Sequence, residues 1–173
     1  MSARFTNKVT LVTGGGSGIG RAAALAFAGE GASVVVAGRR PGPLEQTVAL
    51  IDAAGGQGSA VVTDVSRSEE VARLVRTTVD RHGGLHIAFN NAGIFEAGPV
   101  ADMDESSWHR MVATNLTGLF SQHEARAHAH ASTRWRHDRQ HRIEHRCAPT
   151  TTLPGCLRGL QGGSQCPDPN RGT

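Results

Sequence analysis

The stretch T-G-G-G-S-G-I-G, Thr13–Gly20, decides how the rest of the chain is read. It follows a short apolar run, Val9–Thr13, and precedes an alanine-rich segment, Arg21–Ala28, of helical character. Glycines between a strand and a helix can turn tightly, let a pyrophosphate approach the backbone, and let helix pack on strand. The free N–H groups and positive end of the helix then face the phosphates. The spacing is G-x-x-x-G-x-G, carried by Gly14, Gly18 and Gly20, with Gly16, Ser17 and Ile19 among them. Any tight strand–helix turn could use such glycines, so the surroundings must carry the assignment.

Outward from that turn, short β-branched runs alternate with helical patterns. Gly29 and Gly31 close the first helix, and Ser33–Ala37 reads as a second strand. Leu44, Val48 and Ile51 recur at helical spacing until Gly55–Gly56 stops them. A third strand is expected near Ala60–Val62, then a helix with Val71, Leu74, Val75 and Val79 on one face. His86–Phe89 is the fourth strand. Trp108, Met111, Val112, Leu116, Leu119 and Phe120 form an apolar stripe on a further helix, capped by Asp102 or Asp104. This order predicts an α/β fold, a Rossmann-like doubly wound parallel sheet with strand order 3-2-1-4 and right-handed crossovers.

After the second strand comes the place where an adenosine ribose should lie. An acidic residue there accepts a 2′-hydroxyl, whereas an arginine accommodates a 2′-phosphate. The strand ends V-V-V-A-G-R-R, with Arg39 and Arg40 and no carboxylate. Two solvated loop arginines are the plainer alternative. The position favours NADP(H) over NAD(H).

Here the sequence resembles the short-chain dehydrogenase/reductase family. T-G-G-G-S-G-I-G matches its glycine motif, and T-D-V, Thr63–Val65, the segment whose aspartate, here Asp64, meets the adenine. N-N-A-G, Asn90–Gly93, closes the fourth strand, and N-L-T-G-L-F, Asn115–Phe120, matches the helix bearing the family's asparagine. The resemblance implies a nicotinamide dinucleotide bound by Gly14, Gly16, Ser17, Gly18, Ile19, Gly20, Arg39, Arg40, Asp64, Val65, Asn90, Ala92 and Gly93. It implies hydride transfer with a small alcohol or carbonyl, and makes Asn115 the asparagine of the catalytic set, holding a water in the proton path. For Asn90–Asn91, simple turn formation is the plainer alternative.

The family's remaining machinery is a serine after a fifth strand and a Tyr-x-x-x-Lys helix. Its lysine lowers the tyrosine's pKa and holds the nicotinamide ribose. The 173 residues contain no tyrosine, and Lys8 is the sole lysine. From Gln122 to Gln140 Trp135 is the only large apolar side chain, so no core-facing helix face is expected. Helix is expected to run on through Glu124–Ala131, with disorder beyond. The expected division is therefore 1–120, a dinucleotide-binding domain, and 121–173, a basic irregular tail.

That tail has a readable cause. Read one base later, codons for R-H-D-R-Q-H-R-I-E-H-R, Arg136–Arg146, can encode G-T-I-V-N-I-A-S-S-I-G, an apolar strand ending in serine. Codons for Gly155–Pro167 can likewise encode A-A-Y-A-A-S-K-A-A-L-N-A-L. The slots for serine, tyrosine and lysine would then be held by Ile143, Leu157 and Gln161. The hypothesis is out-of-frame translation beginning between about Phe120 and Arg134 and running to an accidental stop after Thr173.

The net charge of +3 arises in this tail, where arginines and histidines cluster. It therefore argues against a nucleic-acid-binding surface on the folded part. Cys147, Cys156 and Cys166 form no CxxC pair, and no metal site is expected. No apolar run is long enough to span a bilayer, and M-S-A-R-F-T-N-K lacks a secretory signal, so no membrane partner and a cytoplasmic location are expected. With the later helices absent, the family's homo-oligomer interface should be lost. Two functions stand: the family's oxidoreductase reaction, and a non-catalytic NADP-binding pseudoenzyme or partner protein. The missing tyrosine favours the second for the chain as written.

Overall fold

The computed structural model describes residues 3–128. The expectations for the remainder of the tail, including Ile143, Leu157, Gln161 and the cysteines, lie outside the described residues. Four parallel strands, β1 (Val9–Thr13), β2 (Ser33–Gly38), β3 (Gln57–Val62) and β4 (Ile87–Asn90), form one sheet in the order β3-β2-β1-β4. Helices α1 (Gly18–Gly29), α2 (Pro41–Ala53), α3 (Ser68–His82) and α4 (Glu105–Val112) alternate with them or follow them. This is the Rossmann-like architecture that the alternating pattern predicted.

Side-chain alternation along the strands divides the core between the two sheet faces. Val12, Val34 and Val36 bury against Ala24 and Ala28 of α1 and Leu44 and Ile51 of α2. Leu11, Val35 and Ala37 bury on the other face with Leu74 and Val75 of α3. Strands covered on both faces are apolar almost throughout, which is why V-T-L-V-T and S-V-V-V-A-G were legible as strands. Each fully buried Val or Leu contributes roughly 1.5–3 kcal/mol relative to exposure.

β3 starts three residues before the apolar run. Its residues Gln57–Ser59 pair with Ser33–Val35, and Ser33 Oγ lies 2.9 Å from Gln57 Oε1. As an edge strand β3 needs little apolar content, so Q-G-S reads as a turn until its partner is seen. β4 starts one residue late, because His86 makes a different contact. Its N–H donates to the Val9 carbonyl (2.9 Å) and its Nδ1 accepts from the Val9 N–H (3.0 Å).

α3 carries Glu69 and Glu70 in its first turn and Arg81 and His82 in its last, complementing the helix dipole. Gly83 ends it in the left-handed conformation. α4 is capped by Asp104, whose carboxylate accepts from the Ser107 N–H (2.8 Å). A π-helical turn, Ala113–Thr117, follows at once, and α-helix resumes over 118–128. The boundary expected at residue 120 thus falls inside a continuous helix. Ser121 and Gln122 are buried there, and Ala125 packs on the α3-side core.

The apolar stripe on this last helix is not its inward face. Ser107, Gly118, Ser121 and Gln122 are buried, whereas Trp108, Leu116 and Phe120 are 57%, 65% and 65% exposed. Close packing explains the choice of small residues. A Cβ on Gly118 would stand 2.7 Å from the Val65 carbonyl oxygen.

Candidate functional site

The C-terminal ends of the strands open into a cleft of about 290 Å³. Its floor is the glycine turn after β1, one wall is the β2–α2 connection, and the other is formed by the segments after β3 and β4. Gly14, Gly16, Ser17, Arg39, Arg40, Asp64, Val65, Ala92 and Gly93 line it, each a site residue expected from sequence. Gly18, Ile19, Gly20, Asn90 and Asn115 stand outside that lining. Ile19 is 74% exposed at the start of α1, while Gly20 is buried beneath the turn.

The glycines are required sterically. Gly14 has φ of +68°, and a Cβ on Gly20 would overlap the Gly14 carbonyl oxygen. Ser17 occupies the N-cap position of α1 in extended backbone, yet its side chain makes no capping hydrogen bond. The first N–H groups of α1 are thereby left for a ligand, which suits an anion at a helix N-terminus.

The far wall combines charge of both signs. Arg39 and Arg40 are exposed at the rim, and Arg40 occupies the N-cap position of α2, where Pro41 opens the helix. Asp64 Oδ1 accepts from the Ser66 N–H (3.0 Å) and hydroxyl (2.7 Å). Burial pushes the Asp64 carboxyl up, but the Ser66 hydrogen bonds and the charges of Arg39 and Arg67 outweigh it and hold the group below the usual aspartate range. Asp64 is therefore an ionised acceptor near neutral pH.

Asn91, quoted within the N-N-A-G motif but not among the expected cofactor-binding residues, joins the turn to the fourth strand. Its Nδ2 donates to the Thr13 carbonyl (3.1 Å). The Asn90 Oδ1 beside it is buried and has no hydrogen-bond partner among the described residues. The N-N-A-G motif pointed to this corner without revealing which asparagine bridges. Asn115, on the π-helical turn, uses both ends of its carboxamide on one backbone unit. Its Oδ1 accepts from the Ile94 N–H (2.9 Å) and its Nδ2 donates to the Ile94 carbonyl (2.8 Å). The segment after β4 is thereby fixed over the cleft. Thr114 on the same turn and Ile94 also line it. No motif signals Thr114; it enters because the helix comes within reach.

The model of the short chain dehydrogenase family matches residues 8–133. This chain belongs to the short-chain dehydrogenase family. It is 44% identical over 114 residues to the short chain dehydrogenase/reductase astE of Aspergillus oryzae, covering 65% of this chain and 44% of that protein. The short-chain dehydrogenase/reductase homolog YusS of Bacillus subtilis is 41% identical over 102 residues, 58% of this chain and 94% of that one. A crystal structure of a short-chain type dehydrogenase/reductase from Mycobacterium marinum superposes with a TM-score of 0.71 at 34% identity, covering 74% of this chain and 52% of that one. The chain spans about half the length of most such relatives, YusS being comparably short.

The family uses a nicotinamide dinucleotide, and the cleft fits one. Glycines stand where a Cβ would close the turn, the uncapped N-terminus of α1 follows that turn at Ser17, and cationic and anionic side chains share the far wall of the cleft. Among the described residues no helix is long and apolar enough to cross a membrane, and no three His, Cys, Asp or Glu side chains gather as metal ligands.

Proposed function

We propose that this chain is the NADP(H)-binding half of a short-chain dehydrogenase and does not itself turn over substrate. The observation that carries the cofactor preference is the pair Arg39 and Arg40 at the cleft rim after β2, where no carboxylate follows the strand. Guanidinium groups there complement a 2′-phosphate dianion, and Asp64 is an acceptor for an amino group of the adenine. The glycine turn and Ser17 receive the pyrophosphate, while Ala92 and Gly93 support the nicotinamide side. When bound, the nicotinamide supplies or accepts a hydride, and in the intact family its counterpart is an alcohol or carbonyl.

A proton must move at the substrate oxygen for that reaction to close. With no tyrosine in the sequence and Lys8 just before β1, this chain offers no phenol–ammonium pair to move it. Asn115 is spent on the Ile94 backbone and is assigned a positioning role. The function of the chain as written is then nucleotide binding without chemistry, as a fragment or a partner protein. An ancestral gene for an active enzyme is supported by the shifted-frame strings. The family likeness ends at residue 133, and Ala125 still packs on the core, which favours an onset late in the window between Phe120 and Arg134.

Isothermal titration of the full chain with NADPH and NADH tests the binding reading, with tighter binding of NADPH expected. Oxidation of NADPH by the purified chain with any ketone or aldehyde would falsify the inactive reading. Sequencing the gene across codons 120–135 decides the frame hypothesis, since an offset that fails to restore the two strings ends it.

A further inference from the structure

The glycine turn is held from behind by two side chains that no cofactor contact requires. Arg21, one residue past the motif, donates through Nη2 to the Gly16 carbonyl and through Nε to Thr47 Oγ1 (3.0 Å). Thr47, fully buried in α2, reaches the Gly15 carbonyl at 2.9 Å and the Pro43 carbonyl at 3.1 Å. A hydroxyl has one proton, so it can serve only one of the two oxygens. The shorter contact assigns the proton to Gly15, and the second Arg21 Nη2 hydrogen is shared between the Pro43 carbonyl (3.4 Å) and Gln46 Oε1 (3.3 Å).

Two consecutive carbonyls of the turn are therefore pinned away from the cleft. In a trans peptide the N–H points opposite to the C=O. Pinning Gly15 C=O aims the Gly16 N–H forward, and pinning Gly16 C=O does the same for Ser17. Both residues line the cleft. The Gly15 N–H, by contrast, is spent on the Ala37 carbonyl (3.2 Å). Without the two pins, glycine peptides can flip at little cost, and a flipped peptide presents an oxygen to the phosphates.

We infer that Arg21 and Thr47 are positioning residues for pyrophosphate, setting the direction of the Gly16 and Ser17 amides without touching the ligand. This rests on the nucleotide reading above. The test is calorimetric titration of the full chain and its Thr47→Val, Thr47→Ser, Arg21→Met and Arg21→Lys variants with ADP and with adenosine 2′-monophosphate, which lacks the pyrophosphate. Thr47→Val and Arg21→Met should weaken ADP about tenfold, the worth of one hydrogen bond to a charged group, and leave the monophosphate within about twofold. Thr47→Ser, which keeps the hydroxyl, should restore ADP binding. Unchanged ADP affinity in both Thr47→Val and Arg21→Met overturns the inference, as does an equal loss for both ligands with a lowered melting temperature. Failure of the unsubstituted chain to bind either ligand would instead sink the nucleotide reading itself.

Discussion

The Thr13 hydroxyl accepts the backbone N–H groups of both Asn91 (3.1 Å) and Ala92 (3.2 Å), while Asn91 Nδ2 returns a hydrogen bond to the Thr13 carbonyl. The ends of β1 and β4 are thus locked together by side chains where the ladder stops. Thr13→Val keeps the shape and removes the acceptor. It should cost about 1–3 kcal/mol in urea unfolding, since two sheltered N–H groups lose their partner.

Arg39 and Arg40 differ in that the charge of Arg39 helps hold the Asp64 carboxyl below its ordinary range. Arg39→Ala and Arg40→Ala should each weaken NADPH by about tenfold or more and leave NADH within about twofold, as the proposed charge-assisted contact to a 2′-phosphate requires. Equal loss for both cofactors would place the arginines elsewhere in the recognition.

Gly20→Ala brings a methyl group onto the Gly14 carbonyl, and backbone cannot yield as a flexible side chain can. A destabilisation of about 1–3 kcal/mol is expected, together with loss of ADP binding. Thermal unfolding with and without ADP separates the two effects.

Asp104 supports α4 through Ser106, the Ser107 N–H and the Ser107 hydroxyl, and these hold its carboxyl down at about 2 from an ordinary 3.8. A depressed folded-state pKa means stabilisation that is complete above the unfolded value and disappears as pH falls through the folded one. Asp104→Ala should therefore lower the melting temperature at pH 6, and the gap to the unsubstituted chain should close between about pH 4 and pH 2. A gap that persists at pH 2 would show that the carboxylate is not its source.

Trp108, Leu116, Leu119 and Phe120 present a largely exposed apolar face on α4 and its continuation. Such surface favours self-association. Sedimentation should show mass rising with concentration, and Leu116→Ser with Phe120→Ser should suppress the rise while leaving nucleotide affinity unchanged.

Much of this molecule was legible before any coordinates. Val9–Thr13 and Ser33–Ala37 announce themselves because strands covered on both faces must be apolar, and glycine spacing marks the turn between β1 and α1. The Trp108–Phe120 stripe was legible as amphipathic, but periodicity cannot say which face meets the sheet. The small side, Ser107, Gly118 and Ser121, is the buried one, with Gly118 set close against the Val65 carbonyl. The π-helical turn at Asn115 leaves no pattern in composition, since one extra residue per turn preserves every local propensity. The roles of Thr47, Arg21 and Asn91 were illegible for a different reason. Their partners are backbone carbonyls brought near by folding, and a sequence does not display those.

β1 is made first yet lies in the interior of the sheet, between β2 and β4. A nascent chain can close one side of it once residue 38 has emerged, but the other must wait for residue 90. Over those fifty-odd codons the ribosome carries an apolar strand with a bare flank, so chaperone demand should be set by synthesis speed through that interval.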